Sequence, residues 1–386
     1  MLHRLLDLCL LGSVAQDVLL VGMVLFSRWG RVGEDRPWGV AMPRLLAAFA
    51  AVAAAGSAKC VIVAVVTHSV FPLMNLAYVT LGASLPLIGL VILLASAWRH
   101  AGKRAFVVSP WVKVIGALML VPGPVAWHAT FVAPYQLELE TPTLHMPGKS
   151  LGDKPITIAI LADIQTDCVT AYEHSAVDRV MAERPDIVLL PGDLFQNRLS
   201  EWEAQTPALR ALLAKLHAPG GVFIVLGNVD RREPLKRIIE GTAVRLLVNE
   251  TVTTRVRDVP LHLGGVELDC GSPAARATMM ALSDLGEDGD IRLLLSHVPD
   301  AALLVEESSR IDLVVAGHTH GGQIVIPGFG PPVTFSSVPR EVAAGGLHRL
   351  PGCHIYVSRG VGCERGLAPR VRFLCPPEIT LLTLAP

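Results

Sequence analysis

Two histidines lie one residue apart in the segment AGHTHGGQI, directly after an apolar run. His318 and His320 each offer an imidazole nitrogen, which is the commonest metal ligand among protein side chains. Glycines on both sides of the pair allow the backbone to turn sharply where the run ends. Taken alone, a His-x-His pair is weak evidence, because such a pair lies on a polar surface more often than in a metal site.

Four further apolar runs end at side chains that bind cations: Asp163, Asp193, Asn228 and His297. In open α/β sheets, ligands bind outside the carboxyl ends of the strands, so these side chains and the histidine pair are expected to meet. Carboxylate, amide oxygen and imidazole together suit divalent ions such as Mn, Fe or Zn. The five strand ends therefore predict a metal site.

The elements that must position these residues alternate between short apolar strands and helical stretches. The predicted strands span residues 155–163, 185–193, 220–230, 245–252, 261–269, 291–299 and 311–320. The predicted helices span residues 172–184, 201–216 and 232–241. Strands rich in Val, Ile and Leu that alternate with helices are typical of layered α/β folds.

The order D-x-(H/Q), GD, GN, H and GHTH resembles the calcineurin-like metallophosphoesterase family over about residues 155–386. The phrases AGHTHGGQI and YVSRGVG … PPEITLLTL are most similar to the membrane-anchored bacterial branch of that family. The resemblance implies a four-layer αββα sandwich with two divalent metal ions at the rim of the sheets. It also implies hydrolysis of a phosphodiester or phosphomonoester.

The resemblance also implies a role for each matching residue. Asp193 would bridge the two ions, and Asp163 and His320 would bind the first ion. The second ion would have three ligands: Asn228, His297 and His318. Two cations about 3.5–4 Å apart bind phosphate oxygens and stabilise the charge of the departing group.

Two residues depart from the family pattern. Most members have His where this chain has Gln165, which offers a neutral amide oxygen to the first ion instead. Most members also have His at the position of Val229, which cannot carry a proton. General acid catalysis contributes about 10²–10⁴ in rate, so slow hydrolysis is expected. The residues near in sequence that are candidates to replace this His are Asp230, Arg231, Arg232 and His174, of which we select the first two as catalytic.

The first third of the chain has a different composition, apolar and poor in charge. Four segments fit membrane-spanning helices of about 20 residues, at about 5–26, 45–67, 71–98 and 106–127. We therefore predict a transmembrane domain over residues 1–130 and a phosphoesterase domain over residues 131–386. Asp17 and Lys59 fall deep inside the first two spans, where an ion pair between neighbouring helices is the expected arrangement.

Basic residues are concentrated in the loops after the first and third spans. The positive-inside rule makes these loops cytoplasmic and predicts an extracytoplasmic phosphoesterase domain on the plasma (inner) membrane. In that compartment a disulfide such as Cys363–Cys375 is chemically allowed. The net charge of −1 gives no electrostatic indication of nucleic-acid binding.

Two functions remain open. The first is a membrane-anchored phosphoesterase whose substrate is a phosphoester, with a lipid-linked one suggested by the anchor alone. The second is a catalytically weak or inactive metal-binding protein that acts as a membrane sensor or scaffold, which Gln165 and Val229 favour. The six remaining strand-end ligands favour the enzyme. The oligomeric state has no sequence signal.

Overall fold

The structure, a computed structural model, describes residues 10–21, 41–101, 110–152, 154–303 and 310–386. These residues form two units. The first contains the described residues up to Phe131 together with Arg365–Pro369, and the second contains Val132–Glu364 and Arg370–Pro386. The first unit is helical and the second is built on two β-sheets.

The helices of the first unit are α1 Leu10–Val21, α2 Ala41–Thr67, α3 Phe71–Val79, α4 Leu85–Ala101, α5 Pro110–Leu118 and α6 Pro122–Phe131. A π-helical turn, Thr80–Ser84, joins α3 to α4. Among the described residues, two helical stretches are long and apolar enough to cross a membrane: Phe71–Leu94 and Pro110–Tyr135. Apolar helices at Leu10–Val21 and Ala50–Ile62 are shorter, so the prediction of four spans is supported for two. Both predicted basic loops lie largely outside the described residues.

The predicted ion pair between the first two helices is confirmed. Lys59 Nζ lies 2.6 Å from Asp17 Oδ1 and also donates to Ser13 Oγ at 2.8 Å. Ser84, at the end of the π-helical turn, donates to the second oxygen of Asp17 at 2.9 Å. Because both carboxylate oxygens and the ammonium group have partners, this arrangement removes the penalty of an isolated charge among apolar helices.

The second unit contains two sheets. The strands are β1 Glu138–Glu140, β2 Thr143–His145, β3 Ile156–Ile160, β4 Ile187–Leu190, β5 Val222–Ile224, β6 Val244–Leu246, β7 Glu250–Val256, β8 Val259–Gly265, β9 Ile291–Leu295, β10 Leu313–Ala316, β11 Gly346–Leu350, β12 Cys353–Val357 and β13 Glu378–Ala385. The first sheet has the order β1-β13-β3-β4-β5-β6, with β2 also paired to β13. The second has the order β11-β12-β10-β9-β8-β7. In each sheet the central strands run parallel, so their carboxyl ends lie at one edge.

The helices of this unit are α7 Ala171–Ala182, α8 Leu199–Leu213, α9 Arg232–Ile239, α10 Pro273–Asp284 and α11 Arg340–Ala343. Alternation along β3 explains the layering: Ile158 and Ile160 enter the core between the sheets, whereas Ala159 faces the other way and packs against the helices. The helices α7, α8 and α9 cover the outer face of the first sheet, and α10 and α11 cover that of the second. The four layers are therefore helix, sheet, sheet and helix, as expected.

Several features differ from the sequence prediction, which contains no strand at β1, β2, β11, β12 or β13. The predicted strand at 245–252 is two strands, β6 and β7, which belong to different sheets because the chain bends at Val248 and Asn249, where Asn249 has a left-handed φ of 50°. The prediction also contains no helix at α10, although Ser272 caps its start and Pro273 stands at its first position. Cys363 and Cys375 are free thiols, and Cys375 Sγ instead lies 3.3 Å from the carbonyl of His320.

Candidate metal centre

Four of the predicted ligands converge at the edge where the strands of both sheets end. His297 Nε2 lies 2.9 Å from Asn228 Oδ1 and 3.3 Å from Asp193 Oδ2. His318 Nδ1 lies 2.9 Å from the same amide oxygen and 3.2 Å from His297 Nε2. Asp193 follows β4, Asn228 follows β5, His297 follows β9 and His318 follows β10, so the first sheet and the second sheet each contribute two.

The chemistry of these atoms fits a cation. Pro191 has a carbonyl that only accepts, so the 2.8 Å contact with His297 Nδ1 makes that nitrogen the donor. His297 Nε2 therefore presents a lone pair to the oxygens of Asn228 and Asp193. Electron-rich atoms this close repel one another unless a proton or a metal ion lies between them. A backbone carbonyl that fixes the tautomer of the imidazole is also the usual support of a metal-binding His.

A second group of predicted ligands lies beside the first. His320 Nε2 is 3.8 Å from Asp163 Oδ1, and it is buried with no hydrogen-bond partner among the described residues. Burial, reinforced by the neighbouring Arg372 guanidinium, holds the pKa of His320 well below its usual range, so the imidazole is neutral and free to bind a metal. Gln165 is also fully buried, and its backbone N–H donates to the carbonyl of Asp193 at 2.8 Å.

Five of the seven predicted ligands have a left-handed backbone, which costs about 1–3 kcal/mol for each non-glycine residue. Their φ angles are 47° for Asp163, 37° for Gln165, 53° for Asp193, 69° for His318 and 49° for His320. Strain of this kind persists only where the surrounding structure fixes it, and it is concentrated at functional sites. The left-handed turn directs each side chain back over the end of its strand.

Glycines in the motifs allow the loops to approach one another. A side-chain carbon on Gly227 would overlap the backbone nitrogen and the carboxylate of Asp193. One on Gly317 would overlap the carboxylate of Asp163. The glycines that precede Asn228 and His318 are therefore required because a neighbouring ligand occupies the space of a Cβ.

Charge within the centre is balanced by a proton. Burial lowers the pKa of His297, but the carboxylates of Asp193 and Asp163 outweigh it and raise that pKa to about 9. Burial and the His297 charge lower the pKa of His318 to about 4. Burial also raises the pKa of the Asp163 carboxyl. In the metal-free protein, a proton on His297 Nε2 therefore lies between this nitrogen and the oxygens of Asn228 and Asp193, where a cation would otherwise bind.

This proton predicts how the stability of the metal-free protein depends on pH. A His whose folded-state pKa is raised contributes stability fully below its unfolded pKa, near 6.5, and loses it as the pH rises to about 9. The melting temperature in EDTA should therefore fall by several degrees between pH 6.5 and 9. The increase on adding Mn²⁺ should grow over the same window, because metal binding requires the deprotonated ligand. An Mn²⁺-induced shift that is the same at both pH values would contradict this assignment.

The two predicted catalytic residues lie in different surroundings. Asp230 Oδ2 accepts from the backbone N–H groups of Asp193 at 2.8 Å and Gly227 at 2.9 Å, and Oδ1 accepts from Leu194 at 2.9 Å. Three backbone donors hold this carboxylate between the two loops, which favours a positioning role, although burial raises the pKa of Asp230 to about 6. Arg231 is exposed and directly precedes α9. Val229 is half-buried, and its N–H donates to Asp193 Oδ1 at 2.9 Å.

Asp230→Asn tests the positioning role. An amide nitrogen cannot accept, so a backbone N–H of the two loops loses its partner at a cost of about 1–3 kcal/mol. We expect a lower melting temperature together with weaker Mn²⁺ binding, measured by thermal unfolding and calorimetry. Asp178→Asn, on the exposed face of α7, is the matched control. Unchanged stability with lost activity would instead support Asp230 as the proton donor.

Three residues that contact this centre carry no local sequence signal. Arg372 is fully buried and donates to the carbonyls of His320 at 3.1 Å and Arg359 at 2.8 Å. Gln196 and Glu364 hydrogen-bond the side chain of Gln165. These contacts are made only after the C-terminal segment folds over the strand ends, so only the tertiary structure reveals them.

The sheets and the clustered strand-end ligands define a metal-dependent phosphoester hydrolase fold. Residues 156–322 match the family model described as calcineurin-like phosphoesterase. The chain belongs to this family.

Relatives in the family support the same assignment. The chain is 30% identical to "Uncharacterized metallophosphoesterase YkuE" of Bacillus subtilis over 67% of its own length and 88% of that protein. It is 28% identical to "Phosphodiesterase YaeI" of Escherichia coli over 60% of its length and 82% of that protein. It is also 29% identical to an uncharacterized metallophosphoesterase of Helicobacter pylori, over 61% of each chain.

Proposed function

We propose that the protein is a phosphoesterase that uses two divalent metal ions, Mn, Fe or Zn, to hydrolyse a phosphodiester or phosphomonoester. The observation that carries this proposal is the convergence of lone pairs from His297 and Asn228 with the Asp193 carboxylate. When bound there, a pair of cations neutralises phosphate charge and supplies a nucleophile from water at neutral pH.

The residues divide into two ligand groups in this proposal. Asp163, Gln165 and His320 bind the first ion, and Asp193 is shared between the two. The remaining ligands bind the second ion: Asn228, His297 and His318. The shared role of Asp193 is supported by its contact with His297 and by its influence, through charge, on the pKa of Asp163.

The substrate approaches from the side of the centre that is open to solvent. Asn228 is exposed and His318 is half-buried, whereas Asp163, Asp193 and His297 are buried. Val229 follows the exposed Asn228 in the chain, and its side chain has no proton to give to the leaving group. The protein should therefore favour esters whose leaving groups are weakly basic.

The test is hydrolysis of bis(4-nitrophenyl) phosphate by the full chain in detergent with Mn²⁺. The double variant His318→Ala, His320→Ala serves as the blank. Release of nitrophenol that disappears in the blank is the expected result. Mn²⁺ binding without hydrolysis above the blank would favour the alternative that Val229 suggests, a metal-binding sensor or scaffold.

A lipid-linked phosphoester is the substrate class that we propose. The loop after the His pair, residues 324–335, exposes Ile326, Phe329, Val333 and Phe335, with exposed fractions of 43%, 54%, 37% and 51%. Exposed apolar side chains on the loop that directly follows the His pair suit a substrate that is polar at its head and apolar in its tail. The two candidate spanning helices are consistent with a site near a bilayer.

The substrate class is tested with the double variant Ile326→Ser, Phe329→Ser. Hydrolysis of phosphatidic acid in mixed micelles should fall, while hydrolysis of bis(4-nitrophenyl) phosphate should not change. Met280→Ser, which removes another exposed apolar side chain on α10, is the control. Equal losses on both substrates would contradict a lipid-specific role for the loop.

We also propose an integral protein of the plasma (inner) membrane with an extracytoplasmic phosphoesterase unit. Cys168 is exposed in this unit and reports the side on which it lies. A membrane-impermeant maleimide should label intact cells that produce the protein, and Cys168→Ser should abolish that labelling. Labelling only after lysis would assign the unit to the cytoplasm.

A further inference from the structure

Three side chains close a triangle of hydrogen bonds beside the first ligand group. Gln165 Nε2 donates to Gln196 Oε1 at 2.9 Å and to Glu364 Oε2 at 3.1 Å. Gln196 Nε2 donates to the other oxygen of Glu364 at 2.9 Å. Gln165 is fully buried, whereas Gln196 and Glu364 are half-buried.

The carboxylate of Glu364 determines how both amides are oriented. An ionised carboxylate only accepts hydrogen bonds, so the amide atoms that face it must be nitrogens. Gln165 has two N–H hydrogens, and Gln196 and Glu364 accept both. The amide oxygen of Gln165 is therefore turned away from these two residues, and it is buried.

Glu364 is itself fixed from the other side of the site. Its backbone N–H donates at 2.7 Å to the side-chain oxygen of Gln323, which follows the His320 turn. The backbone N–H of Gln165 is held by the Asp193 carbonyl. The backbones of Gln165 and Glu364 are therefore each hydrogen-bonded to a segment that contains predicted metal ligands.

We propose that Glu364 is a positioning residue that makes Gln165 a metal ligand by directing its amide oxygen to the first ion, with Gln196 completing the orientation. This inference rests on the proposed metal centre. The oxygen of a glutamine amide binds a cation, whereas its NH₂ group repels one. The two groups have nearly the same shape, so the amide can fit in either orientation. Because both N–H groups of Gln165 donate to Gln196 and Glu364, the NH₂ group cannot point toward the ion. The same hydrogen bonds increase the negative charge on the amide oxygen.

Glu364→Gln tests the inference, because it keeps the shape of the side chain while allowing the Gln165 amide to rotate. In calorimetric titration of the metal-free full chain with Mn²⁺, one of the two sites, which we assign to the first ion, should lose about 10–100-fold in affinity while the other keeps its affinity. The melting temperature in EDTA should stay within a degree of that of the unsubstituted chain. Glu203→Gln, which removes an exposed carboxylate on α8, is the matched control and should bind normally.

A double-mutant cycle with Gln165→Ala separates positioning from general structural support. If Glu364 acts through Gln165, then Gln165→Ala alone reproduces the loss, and adding Glu364→Gln has no further effect. Losses that multiply, or a Glu364→Gln variant with unchanged affinity, would overturn the inference. If Glu364→Gln does not fold, Gln196→Ala provides the same comparison and should weaken the same site.

These experiments distinguish a wrong role for Glu364 from a wrong assignment of the phosphoesterase activity. Two Mn²⁺ sites without hydrolysis would reject the phosphoesterase while still testing Glu364 by binding alone. Normal hydrolysis and unchanged Mn²⁺ binding in Glu364→Gln would reject only the role of Glu364. A full chain that binds no Mn²⁺ would overturn both.

Discussion

Replacing His297 with Ala should abolish metal-dependent hydrolysis, lowering kcat/KM by about 10³-fold or more. A metal ion contributes several kcal/mol to transition-state stabilisation, and each 1.4 kcal/mol corresponds to about a factor of ten. Among the proposed ligands, His297 is fully buried, and the Pro191 carbonyl fixes its tautomer. Its loss leaves the Asp193 carboxylate and the Asn228 amide without an imidazole partner.

The measurement is kcat/KM on bis(4-nitrophenyl) phosphate, together with the number of Mn²⁺ ions bound per chain. We expect one ion fewer in the variant. His217→Ala is the matched control, because His217 is an exposed His that contacts only the Lys215 carbonyl among the hydrogen bonds described. If His297→Ala retained its activity, hydrolysis would not require the second ion, and the two-ion proposal would be wrong.

Introducing a proton donor at Val229 should accelerate hydrolysis of esters with poor leaving groups by about tenfold to 100-fold, within the range of general acid catalysis. Val229 is half-buried and lies in the chain between the proposed ligand Asn228 and Asp230. Val229→His restores a group that can carry a proton there. Its backbone contact with Asp193 does not depend on the side chain.

The dependence on the leaving group distinguishes proton donation from other effects. An alkyl phosphodiester needs protonation of its leaving group, whereas nitrophenolate leaves without it. The ratio of the two rates should therefore rise in Val229→His and stay constant in Val229→Gln, the polar control that does not titrate. An unchanged ratio would mean that another group already supplies the proton.

The strand-end ligands were predictable because their signal is local. An apolar run followed by Asp, Asn or His marks the end of a buried strand, and parallel strands bring their carboxyl ends together. The spacing of apolar residues likewise predicts the helix at 172–184, and the structure shows a capping box of Thr170 and Glu173 that fixes its start at Ala171.

Other features depend on contacts that no short segment encodes. The bend at Val248 and Asn249 divides one predicted strand between two sheets, and the buried side chain of Leu247 before it belongs to the core between those sheets. Proximity in sequence makes Asp230 a candidate acid. In the structure, its carboxylate accepts hydrogen bonds from backbone N–H groups of two loops. Glu364 is about 200 residues from Gln165 along the chain, so its influence on that amide emerges only when the C-terminal segment closes over the site.

The central claim is a centre of two metal ions that hydrolyses a phosphoester, and stepwise reconstitution tests it most directly. The metal-free full chain is titrated with Mn²⁺, and bound metal and hydrolysis of bis(4-nitrophenyl) phosphate are measured at every step. The account predicts saturation at two ions per chain, with activity rising as the second ion binds and no activity in His318→Ala, His320→Ala. Saturation at one ion, or hydrolysis that does not depend on bound metal, would contradict it.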